Sequence, residues 1–203
     1  MSSMLTDQKP RTLPISVPQY RTLVEHGHFD GQGGQIQLVR GKIVQMNSQG
    51  SGHSDPIDEL EAWSHEVAAR EFRIRIEKPL ELERLCSSPE PDIAWVTPGR
   101  YTKAHPNASQ VHLLIEVSHT SQAFDHGEKL RLYAEAGIAE YWIVDVAGRN
   151  VDVMRNLIGD RYQIRTKHDT TTRLLRFADP KQLWTLRDCL SDELVNCRRR
   201  QRP

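Results

Sequence analysis

The sequence predicts an α/β fold with a mixed central β-sheet flanked by helices, and three patterns indicate it. A nearly continuous apolar run at 111–118 is typical of a buried central strand. A helical pattern at 125–136 leads into a second apolar strand at 140–145, which predicts a crossover connection between two parallel strands. Alternating segments after residue 150 predict a C-terminal antiparallel meander. The chain of 203 residues is long enough for one domain with a sizeable core.

An N-terminal helix and hairpin precede this core. The segment "VPQYRTLVEHG" at 17–27 has a proline near its start and Gly27 as a stop signal, so it predicts a short helix. Residues 35–47 alternate in polarity with Arg40 and Gly41 at the bend, which is a hairpin pattern. After a turn at 48–56, apolar residues on one side of 58–71 predict an amphipathic helix.

The middle of the chain supplies the central strands. Residues 72–85 predict two strands separated at Pro79. The segment "PDIAWV" at 91–96 predicts a buried strand that begins with Asp92, and residues 97–110 form a loop. The strand at 111–118 carries Glu116 inside its apolar run.

The remaining elements complete the crossover and the meander. We expect a helix from about Asp125 to Ala136, which Gly137 ends in a left-handed conformation. Alternation at 151–155, 161–166 and 173–177 predicts three antiparallel strands, and a short helix follows near 185–195.

The composition limits the classes of partner and compartment. Lysine plus arginine equals aspartate plus glutamate at 27 each, so any nucleic-acid-binding patch must be local. No apolar run approaches the ~20 residues that cross a bilayer, so we expect no membrane span. The three cysteines (Cys86, Cys189 and Cys197) have no CxxC spacing and follow no signal-like segment, which predicts structural thiols in a reducing cytoplasm.

We expect three regions along the chain. Residues 1–16 are polar and contain prolines, which predicts a flexible N-terminal arm, and residues 17–195 form a single domain. Residues 196–203 form a basic tail that we expect to be a solvated end. Its arginines could instead contact phosphates, in which case affinity for nucleic acid would fall steeply with salt.

Asp92 and Glu116 are acids in apolar strands, and this is costly unless each carboxylate has a partner, a raised pKa or a metal ion. If the two strands are neighbours, both side chains could converge on one divalent cation, because Mg²⁺ commonly takes one or two carboxylates plus water and substrate phosphate. Strand alternation places Glu116 on one face with Leu114 and Ser118, and Ile115 on the other face.

The following helix supplies a cation. Asp125, Lys129 and Tyr133 recur at four-residue spacing and so form one stripe, from which the lysine could lean toward the preceding strand. A metal ion, two carboxylates and an ammonium are the groups that phosphodiester hydrolysis needs.

Each residue also has an ordinary structural interpretation. Asp92 could cap a strand entrance, Glu116 could pair with an arginine, and Asp125 with Lys129 could be a surface helix pair. The histidines show no zinc-type spacing, so we assign them mainly to the surface and to positions around the site.

Three stretches together resemble the Uma-two family of restriction-endonuclease-like proteins, which belongs to the PD-(D/E)XK nuclease superfamily. They are "QLVRGKIVQMNSQGSGHS", "PDIAWV" and "LLIEVSHTSQAFDHGEKLRLYAEAGIAEYWIVD", in that order over most of residues 17–190. The resemblance implies a restriction-endonuclease-like α/β core and Mg²⁺ or Mn²⁺ as the cofactor. It also implies DNA as the partner and makes residues 17–195 a PD-(D/E)XK-like nuclease domain.

The resemblance also implies roles for individual residues. Asp92 and Glu116 correspond to the acids of the motif, and the backbone carbonyl of Val117 to a further metal ligand. Ser118 stands where the motif usually has its lysine, and Lys129 on the helix corresponds to the relocated lysine. A histidine before the first long helix and an aspartate of the family match His53 and Asp125, and we expect Gln37, Ser118 and Tyr133 as further supporting residues.

The early hairpin departs from the family pattern. Gln37, Arg40 and Lys42 stand where relatives often carry acids, although the side-chain oxygen of Gln37 could still serve as a neutral ligand. Glu59 or Glu66 on the following helix is a candidate replacement for the missing acid.

Two functions follow from these observations. The first is a metal-dependent endonuclease that hydrolyses DNA phosphodiester bonds, with Asp92, Glu116 and Lys129 as its catalytic residues. A twofold homodimer would suit the symmetric cutting of two strands. The alternative is a catalytically weakened nuclease fold that acts as a nucleic-acid-binding or protein-interaction module, which the altered hairpin favours.

Overall fold

The computed structural model describes residues 12–46, 51–68, 70–118 and 121–169. Several expected features lie outside these residues: most of the N-terminal arm, the third meander strand, the helix near 185–195 and the basic tail. The domain limits 17–195 therefore stay a prediction.

Among the described residues, six strands form one mixed sheet in the order in which they follow in the chain. They are β3 (Arg73–Ile76), β4 (Ile93–Val96), β5 (Val111–Ser118), β6 (Tyr141–Asp145), β7 (Asn150–Ile158) and β8 (Arg161–Asp169), and β1 (Ile36–Val39) and β2 (Lys42–Gln45) form a separate hairpin. Only the β5–β6 pair of the six-stranded sheet is parallel. The predicted mixed α/β fold is confirmed.

The crossover between β5 and β6 is a helical segment with a wide turn in its middle. It begins as α3 (Gln122–Phe124), passes through a π turn (Asp125–Lys129) and ends as α4 (Leu130–Ala136). Gly137 follows with φ +89°, which confirms the predicted left-handed end. The sequence predicted the crossover and its end but not the π turn. The four-residue spacing of Asp125, Lys129 and Tyr133 is compatible with a regular α-helix as well as with a helix that contains a π turn.

The two faces of the sheet are covered by different helices. On one face, Trp95, Ile115 and Trp142 pack against α2 (Ser51–Ala68) in an aromatic core. On the other face, Leu114 and Ile143 pack against α4 in a second core, with residues from the hairpin and from 80–82. Strand alternation places Glu116 and Ser118 on this second face, which we call the α4 face.

The N-terminal helix α1 (Val17–Glu25) packs against the β1–β2 hairpin. Ser16 and Gln19 form a capping box at its start, and Val17 lies in the first turn and is buried. The Tyr20 hydroxyl donates to the carbonyl of Ile36 at 2.6 Å. The predicted helix and hairpin are both confirmed.

Two predicted boundaries are wrong. The helix α2 begins at Ser51, not at 58, and ends at Ala68, so residues 51–56, taken as part of a turn, are helical and include Pro56. Glycine, serine and proline favour turns in isolation, but Ile57 and Leu60 bury their side chains against the sheet from this end of the helix.

The second strand predicted within 72–85 is also wrong. Glu81 and Leu82 form isolated bridges, and a 3₁₀ turn follows at Glu83–Leu85. The backbone amides of Leu80 and Leu82 donate to Pro89 and Ser87 in the following loop, and the amide of Glu81 between them donates to Pro106 in a different loop. The alternating leucines are therefore buried by a loop and not by a strand ladder.

None of the helices among the described residues combines the length and apolar character that a membrane span requires.

Gly41 lies in the hairpin bend with φ +73°, and its carbonyl accepts the amide of Ile15 at 3.0 Å. A Cβ at this position would lie 2.2 Å from the Cβ and 2.8 Å from the Cα of Pro14. We expect Gly41→Ala to lower the free energy of unfolding by clearly more than the ~1–2 kcal/mol of left-handed strain alone. Urea denaturation measures the effect.

Gly31 is the matched control, because it has φ +78° but nothing within 4 Å of an added Cβ. Gly31→Ala should lower the free energy of unfolding by the left-handed backbone strain alone. Equal losses in the two variants would contradict the proposed contact between the bend and Pro14.

Candidate active site at the β4–β5 junction

Asp92 and Glu116 lie across from each other on neighbouring strands. The β4–β5 register pairs Ile93 with Ile115, so the next position pairs Asp92 with Glu116. Both side chains are buried, at 5% and 2% exposure. Asp92 Oδ2 accepts the backbone amide of Val117 at 2.6 Å. This bond fits the capping interpretation of Asp92 and also brings its carboxylate to Glu116.

The helical segment adds three buried groups to this pair. Lys129 Nζ lies 2.8 Å from Glu116 Oε2 and 3.8 Å from Asp125 Oδ1. The Tyr133 hydroxyl donates to Glu116 Oε1 at 2.8 Å. Asp125 and Lys129 are 1% and 3% exposed, so they are not a surface helix pair. We call Asp92, Glu116, Asp125 and Lys129 the acid cluster.

The π turn places the lysine and the second aspartate of this cluster. It spans Asp125–Lys129, so these two residues are its first and last positions. The Ser121 hydroxyl donates to Asp125 Oδ2 at 2.5 Å, and Tyr141 donates to the carbonyl of Asp125 at 3.3 Å. Such wide turns are rare and occur often at functional sites.

Arg40 ties the hairpin to the same turn. It bonds both oxygens of Glu135 at 2.8 Å and Glu128 at 2.5 Å. Its position at the hairpin bend has φ +49°. Arg40 is therefore engaged with the helix that carries Lys129, which the sequence alone did not indicate.

The acid cluster holds three carboxylates for one ammonium. Burial raises the pKa of Glu116 to about 8, and Asp92 and Asp125 add to this against the attraction of Lys129. Burial alone would lower the pKa of Lys129, but the attraction of the three carboxylates outweighs it and raises that pKa. The lysine thus stays protonated, and Glu116 is the group that holds an extra proton near neutral pH.

Glu90 is a further acid that sequence reasoning missed. Burial raises its pKa to about 6, and the charge of Lys129 acts on it, which places Glu90 near the acid cluster. It stands two residues before Asp92, so period-two alternation was the available signal.

Gln37 and Ser118 are buried beside these acids. Gln37 Nε2 donates weakly to the carbonyl of Glu90 at 3.4 Å. Gln37 Oε1 and Ser118 Oγ are buried without a hydrogen-bond partner. Each is a free oxygen that a bound cation or water could use.

Other candidates lie elsewhere. Glu59 and Glu66 are exposed on α2, which packs on the opposite face of the sheet. They therefore do not replace the acid missing from the hairpin. His53 belongs to the first turn of α2, and its side chain lies outside the described residues.

The donor chemistry fits a divalent cation only in part. Within the described ranges, no group of three or more His, Cys, Asp or Glu side chains is arranged to hold a metal ion. The cluster does carry an excess of buried negative charge, which a divalent cation would offset. Two carboxylates suffice for Mg²⁺ when backbone oxygen, water and phosphate complete its shell.

Comparisons with known proteins give a family and a similar fold for this chain. A family model described as "Uma2: Putative restriction endonuclease" matches residues 17–186. A crystal structure from Anabaena variabilis ATCC 29413, described as "a putative nuclease belonging to DUF820", superposes with a TM-score of 0.59 at 19% identity, over 77% of this chain and 85% of that chain. At this identity the likeness shows the fold alone. No curated protein matches the sequence.

The raised pKa of Glu116 predicts a pH dependence of stability in the metal-free protein. Between the ordinary value of 4.5 and about 8, the folded state keeps a proton that the unfolded state loses. Stability therefore falls as pH rises through this window, by at most about 1.4 kcal/mol per pH unit for one proton. We expect Glu116→Gln to flatten this slope in urea denaturation with EDTA.

Glu59→Gln is the control, because Glu59 is exposed on α2. It should leave the slope unchanged. An identical slope in wild type and Glu116→Gln would show that Glu116 holds no extra proton.

Proposed function

Because the chain belongs to the Uma2 family, we propose that it is a metal-dependent endonuclease that hydrolyses phosphodiester bonds in DNA. The observation that supports this most strongly is the pairing of Asp92 with Glu116 across β4 and β5, with Lys129 at 2.8 Å from Glu116. These are the charged groups that phosphoryl hydrolysis needs, and the fold brings them together from three segments.

Asp92, Glu116 and the backbone carbonyl of Val117 would hold Mg²⁺ or Mn²⁺. The Val117 amide points toward Asp92, and a strand residue directs its amide and carbonyl to the same side, so that carbonyl faces the Asp92 side as well. The bound ion would polarise the scissile phosphate and lower the pKa of water.

The remaining residues act on the reactants and on the ligands. Lys129 would donate hydrogen bonds to the attacking water and offset the charge that develops on the phosphate. Tyr133 holds Glu116 in position through its hydroxyl, and burial together with Glu116 raises the pKa of Tyr133 well above its ordinary value, so it stays a donor. Asp125 holds the lysine from the other side, at 3.8 Å.

We further propose a cytoplasmic location and a twofold dimer for this enzyme. Cys86 is a free thiol, which suits a reducing cytoplasm. A twofold dimer would let two copies cut both strands of a duplex.

A second function is favoured by the hairpin. Gln37 stands where relatives often carry an acid, and Arg40 is used in ion pairs with α4 and the π turn. If the missing acid weakens the metal site, the protein would bind nucleic acid or a protein partner without cutting.

The cleavage test compares variants of the two charged groups on plasmid DNA with Mg²⁺ or Mn²⁺. We expect Asp92→Asn and Lys129→Met each to lower the cleavage rate at least ~100-fold, since each removes a group that stabilises the transition state. Glu59→Gln and Lys167→Met, which change exposed charges, should cut like wild type. A wild type that cuts with neither metal, or cutting that survives Asp92→Asn, would exclude the endonuclease.

Calorimetric titration with Mn²⁺ separates the two functions. The endonuclease requires binding heat that disappears in Asp92→Asn and in Glu116→Gln. Lys129→Met should keep that heat, because it removes a competing cation and not a ligand. Absence of any Mn²⁺ heat that depends on the two acids would favour the non-cutting alternative.

A further inference from the structure

Two arginines on the edge strand β3 have no acidic partner among the described ion pairs. Arg73 and Arg75 pair across the strands with Val96 and Ala94, so they lie on the α4 face, which also carries the acid cluster. Arg73 donates to the carbonyl of Gly99 at 2.6 Å. Arg75 Nη2 lies 3.2 Å from His105 Nδ1 and 3.5 Å from the carbonyl of Pro79. Neither guanidinium is neutralised by these contacts.

The aromatic ring of Tyr101 lies near both guanidinium groups. Their central carbons lie 6.0 Å and 5.3 Å from the centre of its ring, for Arg73 and Arg75. Burial and the charge of Arg73 lower the pKa of Arg75, and Arg75 Nε is buried without a hydrogen-bond partner. The protein therefore keeps two like charges close together with donor capacity unused. An anionic ligand would relieve both costs.

Positive charge continues into the neighbouring loop. Arg100 and Lys103 are exposed there, and with Tyr101 they line a groove of about 940 Å³. Two acids also line this groove: Glu81, which is paired with Arg21, and the exposed Glu83. We call Arg73, Arg75, Arg100, Tyr101 and Lys103 the β3-edge patch.

We propose that the β3-edge patch binds the phosphodiester backbone of DNA and holds it beside the acid cluster; this inference rests on the proposed function. The β3–β4 register puts Arg75 diagonally across from Asp92, about 7–8 Å away between Cα atoms. A guanidinium pair matches phosphate oxygens in shape and charge. Such contacts fix the position of the DNA without reading its sequence.

The test measures binding separately from cutting, by fluorescence anisotropy of a labelled short DNA duplex with the full chain in EDTA. We expect the double variant Arg73→Gln/Arg75→Gln to bind at least ~10-fold more weakly and to lower the salt slope of the binding constant by about two, one for each lost phosphate contact. The double variant Arg100→Gln/Lys103→Gln changes only exposed loop residues and should act in the same direction, so it decides the case if the first variant fails to fold.

The control is Arg161→Gln/Lys167→Gln, which removes the same net charge from exposed positions on β8. It should bind within about twofold of wild type and keep the salt slope. No DNA binding by wild type, or equal losses in patch and control variants, would overturn the proposal. If wild type binds DNA through the patch but cuts no DNA, the patch inference stands and the endonuclease is rejected. If wild type cuts DNA and the patch variants bind DNA as wild type does, the endonuclease stands and the patch inference is rejected.

Discussion

The buried contact between Lys129 and Glu116, 2.8 Å long, is the constraint on which the site depends. One ammonium lies among three buried carboxyl groups, so the cluster is short of positive charge, and several surrounding groups donate hydrogen bonds to those acids. Val117 donates to Asp92, Tyr133 to Glu116 and Ser121 to Asp125. Removing charge from water is expensive, and an arrangement that leaves an excess of one sign is difficult to explain by stability alone. It is easier to explain if a divalent cation and a phosphate complete it.

The sheet and the helical crossover together hold the residues of the acid cluster in place. The sheet fixes Asp92 against Glu116 through the β4–β5 register, and the crossover returns Lys129 over the same face. The hairpin holds the crossover from outside through Arg40, whose planar fork contacts Glu135 on both oxygens. An arginine in the hairpin thus supports the lysine indirectly.

Local sequence patterns predicted the strands and helices whose polarity is periodic. They failed where a segment is held by contacts with residues distant in the sequence. Period two in β5 placed Glu116 on the face of Leu114, and the register of β4 then brought Asp92 opposite. The alternating leucines at 80–85 suggested a strand, but the backbone amides of residues 80–82 bond two different loops and not one partner strand. No local pattern predicted a functional role for Glu90, Arg73 or Arg75, because that role depends on residues that contact them from other segments.

The π turn affects how the helical crossover can change without disturbing the site. A π turn holds one more residue than an α turn, so the loss of one residue between Asp125 and Lys129 would give a regular helix whose two parts keep their relative orientation. Ser118 on the neighbouring strand faces the same side of the sheet, so a lysine at that position would point toward the acid cluster from the strand. The strand and the widened turn are therefore two places from which this fold can direct an ammonium group at the same carboxylates.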